Sequence, residues 1–285
     1  MLKRIGMVCA AAVAFGGAAL AADEPKLGWS DKAELSYVMT SGNSESSTLG
    51  LKNELKRTWA DALFTLRAGA VRAEATTFSR TAVGTTSDFF VVEDKDKELT
   101  AENYLLAGRY DRKITDTFFW YAGLGWDRNR FAGIQNRYIA EGGVGNIWVD
   151  TDTVKFKTSY ALTYTDQEDV VEAPDSDDGF LGLRLGWDYL HKFGAATTYT
   201  NLLTVDDNLD ETSDWRADMT NSVAVAMNER LALKASLQWL YDNVPSLTNV
   251  SLFDVPGPGG VQTGSVLVEL DEFDTVFTTS LVINF

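Results

Sequence analysis

The sequence predicts an all-β chain, closed as a transmembrane antiparallel up-and-down β-barrel of about twelve strands with short periplasmic turns and long acidic extracellular loops. Three observations lead there. From residue 29 onward apolar and polar side chains alternate with a period of two, the mark of extended strands with one greasy face. The connections between these segments are short and long by turns, as an even-stranded outer-membrane barrel requires. Beyond residue 21 no run of 18 apolar residues occurs, so any membrane crossing is made by strands rather than helices.

The first 21 residues read as a cleaved secretory signal. Lys3 and Arg4 give the positive start, Ile5 to Leu20 the apolar run, and Ala19-Leu20-Ala21 a small-residue cleavage site. The only cysteine, Cys9, lies inside this segment, so the remaining chain, residues 22–285, offers no disulfide and no thiolate ligand. Residues 22–285 are read as one barrel domain. Removing Lys3 and Arg4 takes the net charge from -16 to -18, which argues against nucleic acid as a partner.

Taken in order, the first segment, Lys32 to Met39, turns Lys32 and Glu34 to one face and ends near Tyr37. The second, Thr48 to Lys56, alternates Leu49, Leu51 and Leu55 with Lys52, Glu54 and Lys56. Leu63 to Arg72 sets Arg67 inward, Glu102 to Arg112 sets Arg109 and Asp111 inward, and Thr117 to Asp127 ends on an inward Asp127. Tyr138 to Trp148 carries Glu141 between aromatic ends. The seventh, Val154 to Thr165, opposes Val154, Phe156, Tyr160, Leu162 and Tyr164 to Lys155, Lys157, Ser159, Thr163 and Thr165. Phe180 to Leu190 turns Arg184 and Asp188 inward, Ala195 to Val205 follows, and Trp215 to Met227 turns Arg216 and Asp218 inward. Leu231 to Asp242 opposes Leu231, Leu233, Leu237, Trp239 and Tyr241 to Lys234, Ser236, Gln238 and Asp242. The last, Leu270 to Phe285, sets Phe273, Phe277, Leu281, Ile283 and Phe285 against Asp274, Thr278, Ser280 and Asn284. An edge this long and greasy needs another strand beside it, so the last segment is expected to pair with Lys32 to Met39 and close the barrel.

Residues 59–61, 113–116, 150–153, 191–194 and 228–230 are tight turns, several of them rich in Asp, Asn or Gly; residues 40–47, 73–100, 128–137, 166–179, 206–214 and 243–269 are the long connections. Aromatic residues gather near strand ends, as membrane-interface girdles do. Tyr37, Trp126, Tyr138, Tyr164, Trp215, Trp239, Tyr241 and Phe273 belong to the outer girdle, and Tyr110, Phe118, Trp148, Tyr189 and Phe285 to the inner. A soluble lipocalin-like barrel would also alternate, with its apolar rows inside. Twelve strands bring more Trp, Tyr, Leu and Phe than such a lumen holds.

Thr40-Ser41-Gly42-Asn43-Ser44-Glu45-Ser46, followed by the alternating second segment, resembles the opening signature of the bacterial salt-induced outer-membrane protein family, a domain of unknown function. Tyr121-Ala122-Gly123-Leu124-Gly125 and the terminal Phe285 fit the same pattern. The resemblance implies a barrel in the envelope and brings no catalytic residues. It also implies that Phe285 is the aromatic end recognised by the barrel assembly machinery.

Nothing in the sequence calls for a cofactor or catalysis. His191, the only histidine, falls at a predicted periplasmic turn without a Gly-x-Ser-x-Gly elbow, so a lipase-type site is not expected. Glu141-Gly142-Gly143-Val144-Gly145 and Gly123-Leu124-Gly125 precede no helix and mark tight packing rather than phosphate loops. The inward rows hold Lys32, Lys52, Lys56, Arg67, Arg109, Lys155, Lys157, Arg184, Arg216 and Lys234 against Glu34, Glu54, Asp111, Asp127, Glu141, Asp188, Asp218, Asp242, Glu272 and Asp274. Lumen-lining residues are therefore expected at Lys52, Glu54, Lys56, Arg67, Arg109, Lys155, Lys157, Arg184, Arg216, Asp218, Lys234 and Asp274. Such a balanced lumen either lines a narrow passive channel or is filled by paired charges. The excess negative charge lies in the loops, where Asp175, Asp177 and Asp178 are the weak metal candidates, without the twelve-residue calcium spacing. The alternative to a channel is a closed barrel whose acidic loops bind divalent cations, lipopolysaccharide or a surface partner. Outer-membrane lipids and lipopolysaccharide are the expected surroundings.

Overall fold

Twelve strands close on themselves in the computed structural model, which describes residues 27–40, 45–85, 88–171, 179–254 and 261–285. Residues 1–21, expected to be a signal, the Gly42-Asn43-Ser44 element and the aspartates Asp175, Asp177 and Asp178 lie outside the described residues. The strands are β1 (Gly28–Thr40), β2 (Glu45–Thr58), β3 (Ala62–Thr85), β4 (Asp88–Lys113), β5 (Phe118–Asn129), β6 (Ile134–Asp150) and β7 (Val154–Asp169). They continue as β8 (Gly179–Phe193), β9 (Thr197–Asn208), β10 (Trp215–Ala226), β11 (Leu231–Asp242), β12 (Leu247–Phe253), β13 (Gln262–Glu269) and β14 (Phe273–Asn284). Around the barrel the order is β1-β14-β11-β10-β9-β8-β7-β6-β5-β4-β3-β2, every pair antiparallel, while β12 and β13 make a separate two-stranded sheet.

The period of two fixes which row faces lipid. On β8, Leu181, Leu183, Leu185 and Trp187 are exposed on the outside, and Gly182, Arg184 and Gly186 face the interior. Leu124 on β5 is 71 % exposed and Phe277 on β14 is 68 % exposed. An exterior this apolar is a lipid-facing band, and it rules out the soluble arrangement. A slip of one residue in any strand would exchange the two rows, so register is held by the membrane as much as by the ladders.

The short turns have local causes. At the β6–β7 turn the Thr151 N–H and hydroxyl both donate to the Val154 carbonyl (2.9 and 3.0 Å), and the same hydroxyl accepts from Val154 N–H. At the β10–β11 turn Asn228 Oδ1 accepts from the Arg230 and Leu231 amides. Gly194, at φ +69°, supplies the left-handed residue between β8 and β9. These turns share one end with both chain ends of the barrel; the longer connections share the other.

Five expectations are corrected. Residues 73–100 are not an open loop: β3 and β4 run on as one hairpin through Thr85↔Asp88, with a bulge beside Ala73. Residues 128–137 shrink to a 3₁₀ turn, Arg130–Ala132, closed by Gly133 at φ +81°. Residues 243–269 contain β12 and β13, which flank the Pro-Gly run 256–260 in the sequence. His191 lies inside β8, paired with Val154 and Tyr199, rather than in a turn, and Glu272 precedes β14 instead of lying in its inward row. The first three misreadings share a cause. Above the membrane no lipid enforces an apolar row, so strands there lose the period that made the others legible.

Candidate functional site

The barrel interior holds the charged side chains together. Arg184, half-way along β8, donates from Nη1 to Glu141 on β6 (2.9 Å) and from Nε and Nη2 to Asp206 on β9 (2.6 and 3.1 Å). Because β7 separates β6 from β8, the Glu141 bond runs across the inner surface rather than along a ladder. Arg137 forks onto Asp127 with two 3.0 Å bonds. Arg216 on β10 reaches Asp242 (3.3 Å), Asp214 (3.5 Å) and, across two intervening strands, the side-chain oxygen of Gln167 on β7 (2.8 Å). Asp218 accepts two bonds from the Gln238 amide (3.0 and 2.9 Å).

A second network lies on β1, β2, β3 and β11. Glu34 bridges Lys32 and Lys234, each at 3.0 Å, and Glu54 bridges Lys56 (2.6 Å) and Arg67 (2.9 Å). Toward the periplasmic end Arg109 holds Asp111 (2.7 Å) and lies 3.6 Å from the centre of the Tyr121 ring, a cation–π contact. Lys157 pairs with Asp188 (3.0 Å), while Lys155 turns to Asp150 at the barrel rim.

These groups divide the lumen into unequal spaces. The upper one, about 470 Å³, is lined by nine carboxylates, among them Asp127, Asp206, Asp218, Asp242 and Asp274, and by four arginines, Arg130, Arg137, Arg184 and Arg216. Below it a cavity of about 90 Å³ is lined by Lys32, Lys52, Arg67 and Lys234 with Glu34 and Glu54. Leu105 and the Asp218–Gln238 pair stand between the two. On the β5–β7 side the interior is packed: Phe119, Tyr121 and Ala161 form a buried cluster with Ile147 against it, and Tyr121 is only 1 % exposed. Gly145 makes this possible, since a Cβ there would lie 2.6 Å from Phe119 Cε1.

The mouth of the upper space is narrowed by loops. Gly133 touches Ser246, at the base of the β11–β14 connection, so closely that a Cβ on Gly133 would lie 2.9 Å from the Ser246 hydroxyl and 3.4 Å from Leu270 Cδ1. The β5–β6 and β11–β14 connections rise from opposite sides of the twelve-strand ring, so this contact spans the opening.

Lys52, Glu54, Lys56, Arg67, Arg109, Arg184, Arg216, Asp218, Lys234 and Asp274 all stand on inward rows, as do Lys155 and Lys157. Four interior residues escaped the sequence reading. Asp206 and Arg137 had been placed in loops, although the row Thr198, Thr200, Leu202, Thr204 continues to Asp206 without a break. Phe119 and Tyr121 carried no such signal, because an aromatic row inside looks like an aromatic row outside. His191 faces outward between Tyr189, whose hydroxyl is 3.2 Å from Nδ1, and the Phe193 ring stacked at 4.1 Å. It belongs to the aromatic girdle. Phe285 is exposed, its backbone exchanging hydrogen bonds with Asp31 (2.9 and 3.4 Å). Among the described residues no group of three or more His, Cys, Asp or Glu is arranged to hold a metal.

A family model described as "Protein of unknown function, DUF481" matches residues 33–252. Among solved structures, the KdgM porin in complex with disordered oligogalacturonate aligns over 90 % of this chain and 99 % of its own, at 7 % identity and TM-score 0.42. The NanC porin aligns over 90 % and 97 %, at 11 % identity and TM-score 0.41. The translocator domain of the autotransporter NalP from Neisseria meningitidis aligns over 92 % and 90 %, at 10 % identity and TM-score 0.43. Among curated proteins none matches the chain.

Proposed function

The chain belongs to the DUF481 family of proteins of unknown function, and from that premise and from its own lumen we propose that it is a narrow, non-enzymatic outer-membrane channel with a cation-attracting extracellular vestibule. The leading observation is the upper space of about 470 Å³, in which nine carboxylates outnumber four arginines. Fixed charge of one sign at a narrow entrance concentrates counter-ions and excludes co-ions. The Arg184 clamp on Glu141 and Asp206 then limits what passes, because it ties three strands together within the opening. Cleavage of residues 1–21, a single barrel domain over 22–285, and delivery through the barrel assembly machinery by way of Phe285 belong to the same reading.

Purified protein in planar bilayers is expected to give small, discrete conductance steps that favour potassium over chloride. A silent barrel, or chloride preference, would overturn the channel reading. A second reading is favoured by the packed Phe119–Tyr121 cluster and by the Gly133–Ser246 contact over the mouth: a closed barrel presenting its acidic loops to divalent cations or lipopolysaccharide. Calcium calorimetry separates the two, since that reading requires heat of binding from a barrel that does not conduct.

A further inference from the structure

The barrel wall is not paired to the same height all the way round. β14 pairs with β11 over eleven positions, from Leu231↔Ile283 to Tyr241↔Phe273, and β1 pairs with β2 over thirteen, from Gly28↔Thr58 to Thr40↔Ser46. Between β1 and β14 the register holds for only four, Lys32↔Asn284 to Leu35↔Leu281. Asp31 and Phe285 extend it toward the periplasm by two backbone bonds. Beyond Leu35 and Leu281 both strands run on toward the extracellular end, to Thr40 and back to Phe273, with no ladder between them. The seam is zipped at one end and open at the other.

This opening lies within the apolar band, because Phe273 (56 % exposed) and Phe277 flank it on β14. An unpaired strand edge is not tolerated against hydrocarbon, where its N–H and C=O groups find no partner, but it is tolerated where it borders a wet cavity. The inner side provides one. The inner row beside the opening holds Ser36 on β1 and Ser280, Thr278, Val276 and, at the top, Asp274 on β14, so its lower part is small and hydroxyl-bearing; Ser36 Oγ occupies the space that a side chain on Gly50 of β2 would need. Directly below lies the 90 Å³ cavity with Lys32, Lys52, Arg67 and Lys234. Glu34 is already engaged by Lys32 and Lys234, and Glu54 by Lys56 and Arg67. Lys52 has no carboxylate within 4.0 Å among the described residues, its nearest charged neighbour above being Asp218, and four cations facing Glu34 and Glu54 leave the lining of this chamber net positive.

We propose that the extracellular half of the β1–β14 seam is a lateral portal, through which the phosphate headgroup of a lipid from the surrounding leaflet enters the lysine-lined chamber while its acyl chains stay in the bilayer against Phe273 and Phe277. The phosphate answers Lys52, and the apolar outer edge accepts the chains. An added peptide strand would satisfy the free edges but would bring no charge to Lys52, so charge complementarity favours the lipid. The portal does not depend on axial conduction, and the two readings fail separately.

The test is native mass spectrometry of the folded barrel in an uncharged detergent, with phosphatidic acid or diacylglycerol as probe. One phosphatidic acid is expected to remain bound, and diacylglycerol is not. Lys52→Gln should lower that occupancy at least fivefold. In a Ser36→Cys, Ser280→Cys chain, placed where the register would continue, a reducible bis-methanethiosulfonate tether should block loading and reductant should restore it, which separates a closed portal from a misfolded barrel. Equal retention of both lipids, loading that ignores the tether, or absence of any adduct overturns the proposal. A dimer that disappears on tethering would do so too, by assigning the open edges to a second copy.

Discussion

At the scale of single residues the interior is decided by a few groups whose removal has computable consequences. Arg184 holds two carboxylates, and its side chain and that of Glu141 are nearly inaccessible. Arg184→Ala leaves both acids without their cation, at a cost of about 3 kcal/mol, the low end for a buried pair because the vestibule above is wet. Urea denaturation in detergent should show that loss, Arg184→Ala/Glu141→Gln should recover part of it, and the single variant should conduct more than the parent. An unchanged conductance would mean that the clamp does not limit the passage. Gly145 is constrained differently: a Cβ there meets both the Phe119 ring and the Thr158 carbonyl at 2.6 Å. Gly145→Val therefore has to displace the ring or bend β6, and overpacking of this kind costs about 1–3 kcal/mol. A lower midpoint in the same denaturation checks it; a neutral result would show that the cluster yields freely. The sequence marked Gly143 and Gly145 as sites of close packing, but not what packs there, since the Phe119 ring arrives from the neighbouring strand.

At the scale of elements, β14 is the strand on which closure depends. Its pairing to β11 is long and to β1 short, and Phe285 completes the zipped end through its backbone to Asp31. Those two bonds survive Phe285→Ser, so the folded barrel should keep its stability. On the proposed assembly role of Phe285, outer-membrane levels of the variant should nonetheless fall several-fold in fractionated cells, since the exposed aromatic side chain is what the substitution removes. Normal membrane levels would remove the assembly role. The β12–β13 hairpin gives the opposite case. Its ladder is internal and its base is closed by the Leu270 N–H donating to the Ser246 carbonyl (3.0 Å), both residues outside the excised span. Excising residues 247–269 should leave the denaturation midpoint within about 0.5 kcal/mol of the parent, as surface changes do. A large loss would show that the hairpin braces the mouth. Neither strand of this hairpin was legible, because a pair exposed on both faces carries no alternating row.

At the scale of the whole molecule, the apolar exterior and the charged interior form one arrangement, and the surplus of acid sits at the extracellular end. Long-range attraction of that kind is screened by salt over a Debye length of roughly 8 Å at 0.15 M and about 3 Å at 1 M. Potassium-over-chloride preference should therefore decline steadily between those concentrations in reversal-potential measurements. A preference that ignores salt would place selectivity at a close contact with a carboxylate such as Asp218 or Asp274 instead of in the field of the vestibule.

Strand number, row polarity, closure of the last strand on the first, and the inward positions of residues such as Lys52, Arg184 and Lys234 were all set by the sequence alone. The reason is physical: lipid outside and polar groups inside impose a two-residue period on every crossing, and that period is local. What the tertiary structure decided is non-local. The Arg184 clamp joins residues from β6, β8 and β9; the Gly133–Ser246 contact spans the mouth; the unfinished β1–β14 seam exists only because the first and last strands meet there. Such features depend on where distant strands come to rest after closure, and a period of two carries no record of that.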